Sequence, residues 1–461
     1  MHFYLYFFTI FLSTGCVIDK NSIFNYNSGS DSVVSKSSIV LPTEGNRSSL
    51  VCFQDFIVEH DLHLIINRSL EYSPFWQNQL ANLEIIKDRA RMELAGELPE
   101  LKGSIGWKVG KEKSRETNLT SQKVPDFQSS ANFSWEMDLW GKWKALRESE
   151  VTTVLAESHT IRAAQLEFVY EIATIWFKLS FLEEEIELVN DQIRQHHEIH
   201  VLHLHKFHAG LEDNSSIIEM EIALKRLVSE YSQLKKEQEI ERIKIKTLMG
   251  SHTANIESLE QLTKKSIPEL PIIQDASFLK NRPDVLASQN HLLAQIKRHQ
   301  GSILNLYPSL GLNLSSIGMS GDLSSPFQQW KVQGGPTIDI PLWNPKRKLK
   351  IKEEKAKLKA LEFRWESILL QAAEEIEAAR LTQLFHLDNF NTLEDIENQY
   401  SELYEISEEK FARGLISKIK LLSSKVNWTV QKRQTLHARY KLWISFLSIG
   451  KSLGIGWEEN V

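Results

Sequence analysis

From Trp140 through Gly210 run 71 residues without a proline, and within them Phe168, Ile172, Ile175, Leu179, Leu182, Ile186, Val189 and Ile193 recur at alternating intervals of four and three. That spacing is a heptad seam, the apolar stripe by which one helix packs along another. At 1.5 Å per residue such a helix runs about 105 Å. A compact ball of 461 residues has a radius of gyration of only about 23 Å. The helix cannot curl inside a globule, so the chain must be built around struts.

The word that ends the strut, Lys206-Phe207-His208-Ala209-Gly210-Leu211, returns 204 positions later as Lys410-Phe411-Ala412-Arg413-Gly414-Leu415. Leu139-Trp140 returns as Leu342-Trp343 at a shift of 203, and Leu248-Met249-Gly250 as Ser452-Leu453-Gly454 at 204. Pro74 and Pro99 match Pro283 and Pro308, both at 209, so the first copy carries the longer loop between Pro99 and Trp140. One folded unit is used twice. Each copy reads as a helix of about 20 residues, two short alternating segments, a helix of about 65 and a return helix of about 40. The expected geometry is a long helix beside two shorter ones stacked end to end, with Gly210 and Gly414 at the far turn, where positive φ suits glycine.

The N-terminus is apolar from His2 to Leu12 and then reads Ser13-Thr14-Gly15-Cys16. This is the pattern of a secretory signal, residues 1–15, ending in a lipoprotein cleavage box that acylates Cys16. Leu12 stands one place further from the cysteine than the usual pattern, and no Lys or Arg precedes the run. An ordinary signal peptide or a mis-chosen start codon is the alternative. With Cys16 acylated, Cys52 is alone and no disulfide framework exists. Residues 16–54 are rich in Ser and Asn and read as anchor and tether.

Past the signal no run approaches the 18 or so apolar residues of a spanning helix, so a bilayer could be crossed only by strands. Four segments qualify. In Leu101 to Gly110 the residues Leu101, Gly103, Ile105, Trp107 and Val109 alternate with Lys102, Ser104, Gly106, Lys108 and Gly110. Phe127 to Asp138 alternates in the same way, and the second copy repeats the pattern more weakly in Ser309 to Ile317 and in Trp330 to Leu342, where Pro336 implies an irregular or edge position. Period-two alternation over about ten residues is the signature of a spanning barrel. Any one segment alone reads equally as a half-buried strand of a soluble sheet. Four strands cannot close a barrel, since about eight is the minimum; the chain must oligomerise, and three copies supply twelve.

These residues resemble the TolC-type outer-membrane efflux proteins, in their lipoprotein subgroup. The likeness runs from about Asp55 to Trp457 and rests on Glu136-Met137-Asp138-Leu139-Trp140-Gly141, Arg282-Pro283-Asp284-Val285, Tyr307-Pro308-Ser309-Leu310 and the two Gly-Leu tips, in that order inside the repeat. The resemblance implies a mainly α protein with transmembrane β. A duplicated helical hairpin would form an α-barrel, with a β-barrel of four strands per protomer, twelve-stranded in a homotrimer, and a mixed equatorial belt. It implies repeat 1 at 55–250, an equatorial link at 251–280, repeat 2 at 281–454 and a tail at 455–461. It also implies a passive duct, driven by an inner-membrane transporter and joined to it by a periplasmic adaptor (membrane fusion) protein. The adaptor would dock at Gly210, Leu211, Gly414 and Leu415, flanked by Lys206, Phe207, Lys410 and Phe411. The plain alternative for these tips is an ordinary helix turn.

In the best-known members of that family a ring of aspartates narrows the periplasmic mouth six and nine places after the second tip glycine. Here those places hold Lys420 and Ser423, and the first copy offers Ser216 and Glu219. The expected mouth does not concentrate cations. Before the first tip stand His196, His197, His200, His203, His205 and His208. Extending the seam by threes and fours lands on His196, His200 and His203, a spacing that suits zinc or a charge switch. Ile199 and Leu202 offer a rival seam that leaves the histidines in water, and on that reading no metal or other cofactor is expected.

No C-x-x-C, phosphate loop, nucleophile elbow or paired carboxylate motif occurs, so an enzyme is not expected. A net charge of −6 and a pI near 6.2 argue against nucleic acid as partner. A trimeric coiled-coil scaffold with soluble hairpins and no channel is the competing function.

Overall fold

The computed structural model describes residues 53–110, 124–251, 262–265, 279, 281–320 and 329–456. Cys16, the tether, Cys52, most of the link 251–280 and Trp457 lie outside the described residues. The chain divides after Ser49, and everything below belongs to Leu50–Val461.

In chain order the elements are α1 (Phe53–Phe56), α2 (His60–Tyr72), α3 (Pro74–Ala95), β1 (Glu100–Gly110), β2 (Val124–Met137), α4 (Lys142–His208) and α5 (Ser215–Leu248). After the 3₁₀ turn Leu262–Lys264 come α6 (Pro283–Leu304), β3 (Ser309–Ser320), β4 (Gln329–Asp339), α7 (Pro345–Ala412) and α8 (Lys418–Ser452). The struts α4 and α7 are 67 and 68 residues long, the return helices 34 and 35 rather than about 40, and α3 and α6 both 22. α2 is a separate helix because Pro74 cannot continue the turn that precedes it, and it opens α3 at the first position instead. Pro283 opens α6 in the same way.

The shorter helices do stack end to end. Gly250, after α5, has φ +69°, and a Cβ there would collide with the carbonyl oxygen of Tyr72 and approach Pro74 at 3.3 Å. The end of α5 therefore abuts the start of α3. At the matching junction Arg282 gives the Arg-Pro-Asp-Val motif its purpose. Its guanidinium caps the end of α8 by donating to the Ser452 carbonyl at 2.9 Å, and it holds Asp284 at 2.7 Å and Glu375 of α7 at 2.7 Å.

The sequence placed each long helix beside its own two short ones; the structure adds a seam between the copies. α4 also packs along α6 and α8, and α7 packs on α6 and α8, so the order across the wall is α3 with α5, then α4, then α6 with α8, then α7. Buried Ala145, Ser149 and Ala156 on α4 face buried Ala287 and Ala294 and Gly301 on α6. Ser149 donates to the Ala294 carbonyl at 2.9 Å, and a Cβ on Gly301 would stand 3.0 Å from Leu146. Small residues seven apart let these two helices approach closely. A search for large apolar knobs passes over them.

The main core surrounds the middle of α4. Phe177 stacks on Trp443 at 4.4 Å and Phe56 on Phe446 at 4.3 Å. Leu62 and Ile66 of α2, Leu262 of the 3₁₀ turn, and Leu453 and Ile455 at the end of the chain close over it. Each such side chain, fully buried, contributes about 1.5–3 kcal/mol. Tyr170 donates its hydroxyl to the Ile455 carbonyl at 3.1 Å. Lys265, 2.7 Å from Glu59, lies 4.1 Å over the Trp176 ring.

The strands form one antiparallel sheet in the order β1-β2-β3-β4. The register places Leu101 opposite Phe133, Phe133 opposite Leu314, and Leu314 opposite Gly334. Lys102, Asn132, Ser315 and Gln333 form the row beside it, on the other face. Pro336 lies in β4, an edge strand of this sheet. β1 and β2 begin earlier than the alternation implied, at Glu100 and Val124, and β4 ends at Asp339 rather than Leu342.

Candidate functional site

Both far turns are built identically. At the first, the Gly210 amide donates to the Phe207 carbonyl and the Leu211 amide to the Lys206 carbonyl, each at 2.9 Å; at the second, Gly414 and Leu415 do the same to Phe411 and Lys410, also at 2.9 Å. This pair of bonds is a Schellman turn, which requires a left-handed residue. Gly210 and Gly414 have φ +74° and +72°, and a Cβ would meet nothing within 4 Å at either. Backbone angle alone therefore selects glycine. The leucines that follow are 77% and 68% exposed, while Phe207 and Phe411 are both 39% exposed. Each turn ends the hairpin in a solvated apolar knob beside a lysine.

Beyond the turns, Ser216 is half-buried and Glu219 exposed near the start of α5. Lys420 is exposed in the first turn of α8, where its amide is capped by the Ser417 hydroxyl at 3.3 Å, and half-buried Ser423 bonds back to the Ile419 carbonyl at 2.8 Å. The two sets occupy equivalent places on the two return helices.

The histidine cluster divides. After Val189 the buried positions are Gln192, Gln195 and Ile199, so the seam changes register at Gln192 and Ile193 is only half-buried. His197, His205 and His208 are exposed, while His196, His200 and His203 are half-buried rather than fully wet. His203 meets Glu212 at 2.7 Å, which ties the loop after the tip to α4. Among the described residues no three His, Cys, Asp or Glu side chains converge as a metal site would need.

Sequence reading missed a polar node higher in the wall. Arg433 of α8 reaches Glu185 and Gln192 of α4 and Glu230 of α5, at 2.5, 2.9 and 2.5 Å, and His437 lies 3.2 Å from Glu185. Burial alone would raise the Glu185 pKa; hydrogen bonds from His437 and Arg433 outweigh it and hold the carboxyl below its usual range. Glu354 of α7 is treated likewise. Its burial is outweighed by Gln295, Lys350 and Lys357, which bring it down to about 2.

In the sheet, the face carrying Leu101, Ile105 and Trp107 is open, with those residues 74%, 77% and 51% exposed. No helix among the described residues is long and apolar enough to cross a membrane. A wall four helix positions wide, joined to a four-stranded sheet with both edges unpaired among the described residues, is the protomer of a barrel-forming channel protein.

Comparison with known proteins agrees. The family described as "Outer membrane efflux protein" matches residues 65–251 and 276–455, one match per copy of the repeat. The chain belongs to the outer membrane efflux protein family, and it is an outer-membrane channel component of an efflux system. Similar curated proteins include the cation efflux system protein CusC of Escherichia coli O157:H7, 22% identical over 432 residues covering 88% of each chain. The probable outer membrane lipoprotein SilC of Salmonella typhimurium is 20% identical over 427 residues, again 88% of each. Among solved structures, that of CusC superposes with a TM-score of 0.79 at 16% identity, covering 91% of this chain and 98% of its own. The CmeC outer membrane channel of Campylobacter jejuni gives 0.76 at 20% identity, covering 92% of each.

Proposed function

We propose that three protomers close into a passive duct, with a twelve-stranded barrel in the outer membrane and a helical tunnel of twelve positions in the periplasm. The observation that carries this reading is that both layers are open on both sides. Among the described residues β1 and β4 are unpaired edges, and the helical wall ends in exposed apolar side chains at each margin. Phe363, Leu370 and Phe385 on α7 are 59%, 73% and 65% exposed, and Ile218, Ile222 and Ile243 on α5 are 49%, 46% and 58% exposed. Joining margin to margin in a ring buries both and leaves no strand edge in lipid. The exposed row of Leu101, Ile105 and Trp107 then faces outer-membrane lipid.

Lys206, Phe207, Gly210 and Leu211, with Lys410, Phe411, Gly414 and Leu415, would receive a periplasmic adaptor that links the duct to an inner-membrane transporter. Ser216, Glu219, Lys420 and Ser423 would line the mouth, and Cys16 would carry the lipid anchor. Such a conduit needs no bond chemistry, only a lumen and a gate. The names of similar proteins point to cations, an antibiotic and toluene, which fits a duct whose cargo is chosen by the pump behind it. Reconstitution in planar bilayers tests the reading: discrete conductance steps support a duct, and their absence from a correctly assembled trimer opposes it.

A further inference from the structure

Six of the thirteen residues from His196 to His208 are histidines, and a duct has no evident use for them. The buried seam of α4 runs here through Gln192, Gln195 and Ile199, so His196, His200 and His203 stand along its edge, half-buried, while His197, His205 and His208 are exposed. The three at the edge differ from the exposed three in how their rings are held.

His196 Nδ1 lies 3.0 Å from the Gln192 carbonyl oxygen, which can only accept, so that nitrogen carries the proton. His203 Nδ1 lies 2.7 Å from the Glu212 carboxylate, which selects the same tautomer. At His200 it is again Nδ1 that is enclosed, without a partner among the described residues. The Nε2 atoms of all three rings are neither enclosed nor bonded to the protein among the described residues. In neutral His196 and His203 the free lone pair is therefore on Nε2, turned to solvent. A ring whose Nδ1–H is held by a carbonyl or carboxylate is the form in which histidine ligates metals.

Four residues along a helix advance about 6 Å and turn about 40° beyond a full turn, so His200 stands over His196 on one face. The same interval lets two helical histidines grip zinc in the H-E-x-x-H motif. His203, three residues on, is turned back by about 60° and is tethered to the loop after the tip. Since no three ligating side chains converge among the described residues, the chain would supply two nitrogens and water the remaining positions. Imidazole pairs suit zinc, nickel and copper(II), whereas magnesium and calcium take oxygen ligands.

We infer that His196 and His200 bind one divalent cation of the zinc, nickel or copper(II) class through their Nε2 atoms, on α4 beside the first tip. The Gln192 carbonyl orients His196, and the bound ion ties two successive turns of the strut together. The site occurs once per chain, because the repeat shift of 204 puts Tyr400 and Tyr404 at the matching places on α7. There Tyr404 donates to Glu408 at 2.5 Å and stacks on Trp428. All the ligands belong to one helix, so the site stands independently of how protomers join.

Zinc titrated calorimetrically into full-length, detergent-extracted protein purified without a histidine tag tests the assignment. The wild type should take up one ion per chain. His196→Gln and His200→Gln should each abolish that binding, while His203→Gln and the triple variant His197→Gln/His205→Gln/His208→Gln should keep it. Unchanged helical content by circular dichroism shows that a variant has folded. In the unsubstituted protein zinc should also slow amide hydrogen exchange in residues 196–204 and leave residues 400–408 unaffected. A wild type that binds no zinc, binding that survives His200→Gln, binding lost only with the exposed histidines, or exchange unchanged at 196–204 overturns the site.

Discussion

Arg433 on α8 donates to one carboxylate oxygen of Glu185 on α4, from Nε at 3.0 Å and from Nη2 at 2.5 Å, in a site where Glu185 is 1% exposed. A helix of the second copy is thereby fastened to the strut of the first. Removing one partner of a buried pair costs more than removing both, because the survivor stays charged and unpaired. Arg433→Met should destabilise the protein by about 3–5 kcal/mol, and adding Glu185→Leu should recover most of that loss. Thermal unfolding followed by circular dichroism in detergent reads both variants.

Acid should undo the same kind of contact. Glu185 and Glu354 are held below the usual carboxylate range of 4.5 in the folded protein, Glu354 at about 2. A depressed folded pKa means a contribution that is complete above pH 4.5 and is lost as the pH falls toward 2. Glu354→Gln should flatten the dependence of stability on pH across that window and leave the slope above it unchanged. An unchanged slope between pH 4.5 and 2 would remove Glu354 from this role.

The struts were legible because α4 repeats large apolar residues at heptad spacing, and the strands because period-two alternation survives in Leu101 to Trp107. The turns were legible because a Schellman geometry demands glycine and the same word occurs twice. What the pattern hid were contacts made by residues that break it. Ala145, Ser149 and Ala294 pack as tightly as leucines elsewhere but register as neither apolar knobs nor polar surface. Gln192 and Gln195 occupy seam positions because Arg433 and Thr429 of α8 offer them hydrogen bonds at 2.9 and 3.0 Å. The change of register there, and with it the half-burial of three histidines, follows from partners far away in the chain.

At the tips the two exposed leucines are expected to act in docking and not in folding. Leu211→Asp with Leu415→Asp should leave trimer assembly unchanged and abolish efflux in cells, scored as restored drug or metal sensitivity in a strain that depends on this duct. Gly414→Ala should act differently. It forces a side chain into the left-handed region at about 1–2 kcal/mol and should lower thermal stability measurably.

If the start of α8 lines the mouth as proposed, Lys420 replaces the carboxylate ring that the resemblance implies. A small trivalent cation added on the periplasmic side should leave conductance of the wild-type channel unaffected, while Lys420→Asp should create block. Block of the wild type would place these ammonium groups away from the lumen.

Native mass spectrometry of protein extracted from outer membranes shows whether one chain is a third of a membrane-spanning duct. A duct built this way should appear as a particle of three chains that needs detergent to remain dispersed. A monomer that stays in solution without detergent would contradict it.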